Sequence, residues 1–286
     1  MEMIYTLPFF VREEPNFYKY DLKLASDCFS SLERSDDITV IIYNQGCLRK
    51  DKLLDFLSSY RVKAIILGDG KNVGIAKARQ MCFEYIWSNY AEVPFICEIH
   101  LDMIFPKNWH EPLLIQLKNS DEPMISPGIL TSDGELQPLN KKVSKTEIFT
   151  DITDLTCFLN KLSKDEVCEG FVHPVIHKSH ILKEIGGYDY RFLKGKQGFE
   201  DDSLLLGYLY YMGMRTNWRP KCCLKSWVYH GTMVQRMALQ GKEQDFELNF
   251  NGLFYQYGGY GFKHLSELYK DDLNFQMFFK KVLEKL

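Results

Sequence analysis

The chain opens with a short apolar run, Met3 to Phe10, which halts at Pro8 and two phenylalanines and passes into the polar Val11-Arg12-Glu13-Glu14-Pro15-Asn16. That is the pattern of a buried strand opening into a loop. From there Leu22, Leu24, Ala25, Cys28, Phe29 and Leu32 recur three and four residues apart, which predicts a helix ended by a Ser/Asp cluster. A β-branched run across Asp37–Gly46 predicts a second strand, the periodicity over 49–60 a helix, and Val62–Gly70 a third strand closed by Gly-Asp-Gly. Ile75, Ala78, Met81, Cys82, Tyr85 and Ile86 then form one helix face, and Val93–Pro106 reads as a fourth strand. Strands alternating with helices in this way predict an α/β fold with a mainly parallel sheet covered on both faces. In such sheets ligands bind beyond the carboxyl ends of the strands, which here are Pro8–Glu14, Tyr43–Gly46, Gly68–Asn72 and His100–Asp102.

After Pro106 the alternation weakens. Residues 107–118 read as helical, 124–138 as a hairpin around Ser132-Asp133-Gly134, and 139–166 as a polar, irregular stretch. An amphipathic helix over 199–213, an apolar strand near 222–229 and a Lys/Glu/Phe-rich helical tail complete the pattern. No repeat or low-complexity linker marks a clean cut. The expected organisation is a first half over 1–106, a second half over 107–235 in the same domain, and a helical extension over 236–286.

Three segments carry chemistry. Glu98, His100 and Asp102 alternate with Ile99, Leu101 and Met103, so an uninterrupted strand would point all three polar groups to one face. Oxygen and imidazole donors gathered at a strand end fit a divalent ion such as Mn2+ or Mg2+, and a solvated face of an edge strand is the plainer reading. The second segment is Gly198-Phe199-Glu200-Asp201-Asp202-Ser203 at a helix start. First-turn carboxylates favour the helix dipole, but three in a row exceed what capping needs, and one within reach of an attacking hydroxyl can act as general base. The third is His230, after the apolar run Ser226-Trp227-Val228-Tyr229. A lone histidine of this kind is more often a satisfied core or surface residue than a metal ligand.

Taken in order, these segments resemble the GT-A fold, family-2-type glycosyltransferases, over about residues 3–235. Asn72-Val73-Gly74-Ile75-Ala76-Lys77-Ala78-Arg79-Gln80 is similar to that family's Asn-x-Gly…Ala-Arg-Asn motif, with Gln80 where Asn is usual. His100-Leu101-Asp102, with Pro106 four residues on, stands at the place of its Asp-x-Asp metal motif. Ile185-Gly186-Gly187-Tyr188-Asp189 followed by Glu200-Asp201 is similar to its Gly-Gly-Phe-Asp…Glu-Asp signature.

The resemblance implies a metal-dependent, inverting transfer of a sugar from a nucleoside-diphosphate donor, a UDP-sugar first among them, to a carbohydrate, lipid-linked or protein acceptor. It implies Asp201 as general base, Glu200 as the group that orients acceptor or base, and Asp202 as the alternative base. It further implies donor contacts from Pro8, Phe9, Arg12, Glu13, Asn44, Asn72, Lys77, Arg79 and His100, and a divalent cation, Mn2+ or Mg2+, held by Asp102 and His230 with His100. Two departures stand out: His100 replaces the first Asp of the metal motif, and Tyr43-Asn44-Gln45-Gly46 replaces the usual Asp-rich end of strand two. An imidazole can ligate a metal or bond a ribose hydroxyl, and it moves metal preference towards nitrogen-tolerant ions. The competing reading is a non-catalytic nucleotide-sugar- or glycan-binding module on the same fold. A sugar-phosphate nucleotidyltransferase ranks third, because the first strand-to-helix loop carries no glycine-rich signature.

Composition narrows the partners. With 35 Lys and Arg against 38 Asp and Glu, and a pI near 6.2, the chain lacks the basic footprint that nucleic acid requires. No apolar run is long enough to cross a bilayer and no leader pattern opens the chain, so the expectation is a cytoplasmic protein, with peripheral contact at a membrane left open for the tail. Eight cysteines without a Cys-x-x-Cys pair point to reduced core thiols rather than a disulfide or zinc framework. Part of the load of 20 Phe, 17 Tyr and 4 Trp is expected beside donor and acceptor, at Phe9, Trp109, Tyr188, Phe199, Trp227 and Tyr229.

Overall fold

The structure, a computed structural model, describes residues 1–143, 151–213, 217–232, 242–270, 275–277 and 280. The boundary expected at 235/236, part of the irregular stretch 139–166 and the end of the helical tail lie outside the described residues. The first half runs β1 (Met3–Phe9), α1 (Pro15–Leu32), β2 (Thr39–Asn44), α2 (Lys50–Leu57), β3 (Lys63–Leu67), α3 (Ile75–Asn89), β4 (Phe95–Glu98), β5 (Met103–Ile104). It continues through α4 (Glu111–Lys118), β6 (Met124–Thr131), β7 (Glu135–Gln137), β8 (Lys141–Lys142), α5 (Ile152–Lys161), β9 (Val167–Glu169) and β10 (Val175–Lys178). Helices α6 (Ser179–Glu184) and α7 (Glu200–Met212), strand β11 (Lys221–His230) and helix α8 (Lys242–Leu268) follow.

The strands form one mixed sheet in the order β3-β2-β1-β4-β10-β6-β11-β5, with β7, β8 and β9 paired off this path. The β3-β2-β1-β4 half is all parallel, as continuous β-branched runs joined by helices require. Strand β10 enters antiparallel between β4 and β6, and β6 and β11 restore a parallel pair. The fold class is therefore α/β, a mainly parallel mixed sheet flanked by helices with a long helix near the C-terminus.

Two expectations change. The stretch 139–166 contains α5, whose N-cap Asp151 accepts hydrogen bonds from the backbone of Thr153 (2.6 Å) and Asp154 (2.9 Å), and whose Leu155 and Leu159 are buried. An Asx cap and an i, i+4 leucine pair sufficed where the surrounding polar residues masked the period. The second change lies in the fourth strand, which stops at Glu98; Leu101 and Asp102 form a turn before β5.

The chain divides into two compact units. The larger holds Met1–Asn72, Met81–Glu184 and Pro220–Leu239; the smaller holds Val73–Gln80, Ile185–Arg219 and Gln240–Leu286. In the larger unit one core, including Tyr5, Leu7, Phe9, Phe29, Ile42, Cys97, Ile125 and Trp227, runs across the sheet. Gly128 lacks the side chain that would collide with the Trp227 ring, and the β6–β11 register shifts between Cys223 and Trp227 to seat that indole. In the smaller unit α7 packs against α8, and both helices carry buried apolar residues, among them Leu204, Leu205 and Leu209 of α7 and Leu253, Phe262 and Leu265 of α8.

Candidate active-site clusters

In the larger unit the turn after β4 and the end of β11 bring three ligating side chains together. His100, Asp102 and His230 offer nitrogen and oxygen atoms that all lie within 4.8 Å of one another. His230 Nε2 stands 3.5 Å from Asp102 Oδ1 and 3.2 Å from His100 Nδ1. Ligands held at roughly 2.0–2.2 Å from one ion sit at roughly these separations from each other. His230 Nδ1–H donates to the backbone carbonyl of His173 at 3.1 Å, which leaves the Nε2 lone pair on the side of Asp102. The His173 ring stacks on His100 at 4.9 Å between centroids and 27° between planes.

The electrostatics fit a cation. Cys28, Tyr20 and Tyr229 all have their acidities suppressed, by burial first and then, for Cys28 and Tyr20, next by the charge of Asp102; for Tyr229 Asp102 is again the second cause. A negative charge that disfavours ionisation of its neighbours is what a divalent ion would neutralise. Two imidazoles and one carboxylate suit nitrogen-tolerant ions such as Zn2+, or Mn2+, better than Mg2+, which prefers oxygen ligands and bound water. Asp102 and Tyr229 also help wall a cavity of 1210 Å3, together with Lys23, Asp27, Arg34 and Thr153.

Glu98 does not join this cluster, contrary to the alternation argument. Its carboxylate meets His177 Nε2 from β10 at 2.7 Å, and both side chains are fully buried. The reason is the end of the strand: regular pairing stops at Glu98 and the chain turns at Leu101 and Asp102, so alternation no longer relates Glu98 to His100 and Asp102.

The other donor residues expected in this unit have varied surroundings. Phe9 is completely buried in the core, so its ring offers no face to a base. Arg12 is buried and held by Asp21 of α1, through Nη2 to Oδ1 at 2.6 Å and Nε to Oδ2 at 2.9 Å, while its guanidinium lies 4.1 Å over the Phe17 ring. Nη1 of Arg12 is buried with no hydrogen-bond partner among the described residues. Asn44 closes the loop after β2, donating from Nδ2 to the Leu48 carbonyl at 2.8 Å. Pro8 is half-buried beside Tyr43 on β2, Asn72 is half-buried, and Glu13 is exposed.

In the smaller unit the motif segments meet each other. Gly186 and Gly187 have φ of +86° and +66°, which explains the glycine pair: a side chain at either position would be strained. The chain that leaves them places Tyr188 so that its N–H donates to Gln80 Oε1 (2.8 Å) and its hydroxyl accepts from Arg79 Nη1 (3.0 Å). The amide oxygen used here is one that either Asn or Gln can supply, so Gln80 keeps a job suited to the motif residue it replaces. Arg79 in turn lies 3.6 Å from Asp201 Oδ1. Asp189 takes Arg191 as a bidentate partner at 2.8 and 2.7 Å, and hydrogen bonding from that guanidinium lowers its carboxyl below the ordinary range.

Glu200, Asp201 and Asp202 occupy the first turn of α7. Glu200 is buried and Asp201 is about one third exposed. Asp202 is pushed up to about 7, by burial first and then by the neighbouring charge of Asp201, against a hydrogen bond from Tyr269. Carboxylates three in a row therefore differ in environment, which is how acid and base roles are separated. Lys77 holds its ammonium 5.3 Å over the Tyr190 ring.

Of the six aromatics expected at the site, Phe9, Trp109, Tyr188 and Trp227 are buried in cores, so stacking on a ligand is not their role. Trp227 donates its indole N–H to the Leu224 carbonyl, and the Tyr188 hydroxyl serves Arg79. Phe199 and Tyr229 remain half-buried. His173 and Tyr269 carried no sequence signal, since one acts through its backbone carbonyl and its ring plane and the other from the end of a helical tail.

No protein-family model and no curated protein matches the chain. Solved structures do. S. aureus TarS aligns at TM-score 0.55 and 12% identity, covering 94% of this chain and 43% of that one. TarS 1-349 in complex with UDP-GlcNAc aligns at TM-score 0.59 and 12% identity, covering 94% and 71%, and the same fragment with UDP at 0.54 and 12%, covering 94% and 70%. The chain thus spans less than half the length of the longer TarS structure. What it shares with these structures is the GT-A fold, a mixed and mainly parallel sheet flanked by helices.

Proposed function

We propose that the chain is a metal-dependent, inverting glycosyltransferase that moves a sugar from a UDP-sugar to a hydroxyl on a glycan, lipid-linked or protein acceptor. The observation that carries the proposal is the His100, Asp102 and His230 cluster at the end of β4, in a fold whose solved neighbours include complexes with UDP-GlcNAc and UDP. Those three side chains would hold a divalent ion, Mn2+ or another nitrogen-tolerant cation, which when bound neutralises charge on the donor pyrophosphate.

The smaller unit supplies the proton chemistry. Asp201 takes the proton of the acceptor hydroxyl as its oxygen bonds to the anomeric carbon; the bond from that carbon to the diphosphate breaks, and UDP leaves from the opposite face. Arg79, 3.6 Å away, holds the Asp201 carboxylate in place. Glu200 orients the reacting groups from its buried position. Asp202, titrating near neutrality, is the alternative base, because a base works best with its pKa close to the working pH. Asn44, Asn72, Lys77, Arg79, Arg12, Glu13 and Pro8 are assigned to the nucleotide and its phosphates.

The test is turnover across a panel of nucleotide sugars with Mn2+, beginning with UDP-GlcNAc. EDTA is expected to abolish turnover, and Asp201→Asn to lower kcat by about 10²- to 10⁴-fold. Unchanged turnover in Asp201→Asn would remove Asp201 from the base role and point to Asp202. Tight UDP binding without transfer or hydrolysis of any donor would identify a binding module instead.

A further inference from the structure

Helix α8 belongs to the extension that the sequence sets apart from the catalytic residues, yet it grips the segment that presents them. One side chain makes most of the polar contacts. Asn249, buried at 1% exposure, accepts the Gly195 N–H on Oδ1 at 2.6 Å and donates from Nδ2 to the carbonyls of Gly198 (2.7 Å), Gly195 (3.3 Å) and Gln197 (3.3 Å). Asp245, one turn earlier, accepts the Lys196 N–H at 3.0 Å. The backbones approach so closely that a Cβ on Gly195 would meet the Asp245 carbonyl, and a Cβ on Gly252 would meet that of Phe192. Phe199 packs edge-on against Phe246 and Phe250 at 5.9 and 5.7 Å.

The segment so gripped is not one the chain would adopt alone. Gly198 has φ of +96° and Phe199, the residue before Glu200, has φ of +61°, a left-handed conformation that a non-glycine residue rarely takes. Phe199 sits at the N-cap position of α7 without any side-chain cap. Something outside the loop must hold this entry to the helix, and a buried amide within hydrogen-bond distance of four loop backbone groups is suited to do so. Farther along α8, the Tyr257 hydroxyl donates to the Ser203 carbonyl at 3.2 Å, and Tyr269, in the turn just past α8, bonds to Asp202.

We propose that Asn249 is a positioning residue for the carboxylate turn: it fixes residues 195–198 in the conformation that aims Glu200, Asp201 and Asp202. The catalytic part of this inference rests on the proposed transferase reading; the structural part does not. Asn249 itself touches no reacting atom, so its loss misplaces the carboxylates without removing any of them. Displacements near 1 Å lower rates by about 10²-fold.

The experiment pairs kinetics with hydrogen–deuterium exchange on the full chain, using UDP-GlcNAc as donor and wild type, Asn249→Ala and the milder Asn249→Ser. The expected result is faster exchange confined to the peptide spanning 194–199, kcat lowered about 10²-fold in Asn249→Ala and less in Asn249→Ser, and KM for UDP-GlcNAc changed less than about 2-fold. Unchanged exchange in that peptide overturns the clamp. Faster exchange with wild-type kcat overturns the positioning role. If Asn249→Ala unfolds globally, Asn249→Ser decides by the same criteria. If wild type turns over no donor, the transferase reading fails by itself, and the exchange of 194–199 still decides whether Asn249 holds the loop.

Discussion

Glu98 and Asp102 lie four residues apart, and each meets a histidine from a distant strand. Glu98 and His177 are fully buried and 2.7 Å apart, joining adjacent antiparallel strands. Asp102 and His230 are 3.5 Å apart at a turn, about a tenth exposed, and a third ligating group, His100, lies beside them. The first pair is a single short contact between one oxygen and one nitrogen, fully buried. The second is too long for a strong hydrogen bond, and its His230 Nε2 lies 3.2 Å from His100 Nδ1, so three ligating atoms face one another in a geometry that a cation would complete. The same residue types become a structural lock or a ligand set according to whether the backbone is still a paired strand.

The largest expected effect breaks the lock. His177→Ala leaves a carboxylate buried without its partner, and the fold is expected to lose about 3–5 kcal/mol, read as a lowered midpoint in urea, while Mn2+ affinity measured by calorimetry on the folded protein stays the same. Next comes the ligand set. Asp102→Ala is expected to abolish Mn2+ binding and lower turnover by about 10²- to 10³-fold, as loss of a strong electrostatic stabiliser does, with little change in the urea midpoint. If both variants shifted stability and metal affinity alike, the distinction between the two pairs would collapse.

The smallest effect concerns a third carboxylate environment, that of Asp202. Its folded pKa, about 7, lies above the ordinary Asp value. The folded protein therefore binds more protons than the unfolded chain between about pH 4 and 7, and stability falls as pH rises through that window. Asp202→Asn is expected to raise the melting temperature relative to wild type at pH 8, with the gain shrinking towards pH 4. An equal gain at both pH values would mean that charge is not the cause. The same residue also sharpens the base assignment: if Asp202 is the base, the acid limb of the rate profile falls near pH 7 and disappears in Asp202→Asn along with turnover.

Much of the fold was legible because it rests on local pattern. The β-branched runs of β1 to β4 and the three- and four-residue periodicity of α1 and α3 appear where the sequence places them, since parallel strands buried on both faces need continuous apolar runs. Helix α5 was missed because its few leucines are diluted by polar neighbours, and its start is marked only by the Asp151 cap. At the site, the grouping of Asp102, His230 and His100 was read from a resemblance, while strand alternation grouped His100 and Asp102 with Glu98 as well. The exclusion of Glu98 was not legible: the pattern Glu-x-His-x-Asp looks uniform, and nothing in it shows that the strand ends at Glu98. The aromatic expectation failed for a related reason. Phe9, Trp109, Tyr188 and Trp227 sit near the site in sequence, but a large ring gains most free energy inside a core, and that is where these four went.

By itself, then, the sequence determined the alternation of strand and helix, the carboxylate turn at the start of α7 and the glycine pair at 186 and 187, each because its cause is local: side-chain period, helix-terminus charge, or a left-handed φ. Only the tertiary structure decided which charges are partners. His177 reaches Glu98 across 79 positions of sequence, His230 reaches Asp102 across 128, and Asn249 reaches Gly195 across 54. Pairings of that kind depend on sheet order and helix packing, and no local pattern encodes a contact whose two ends are that far apart in the chain.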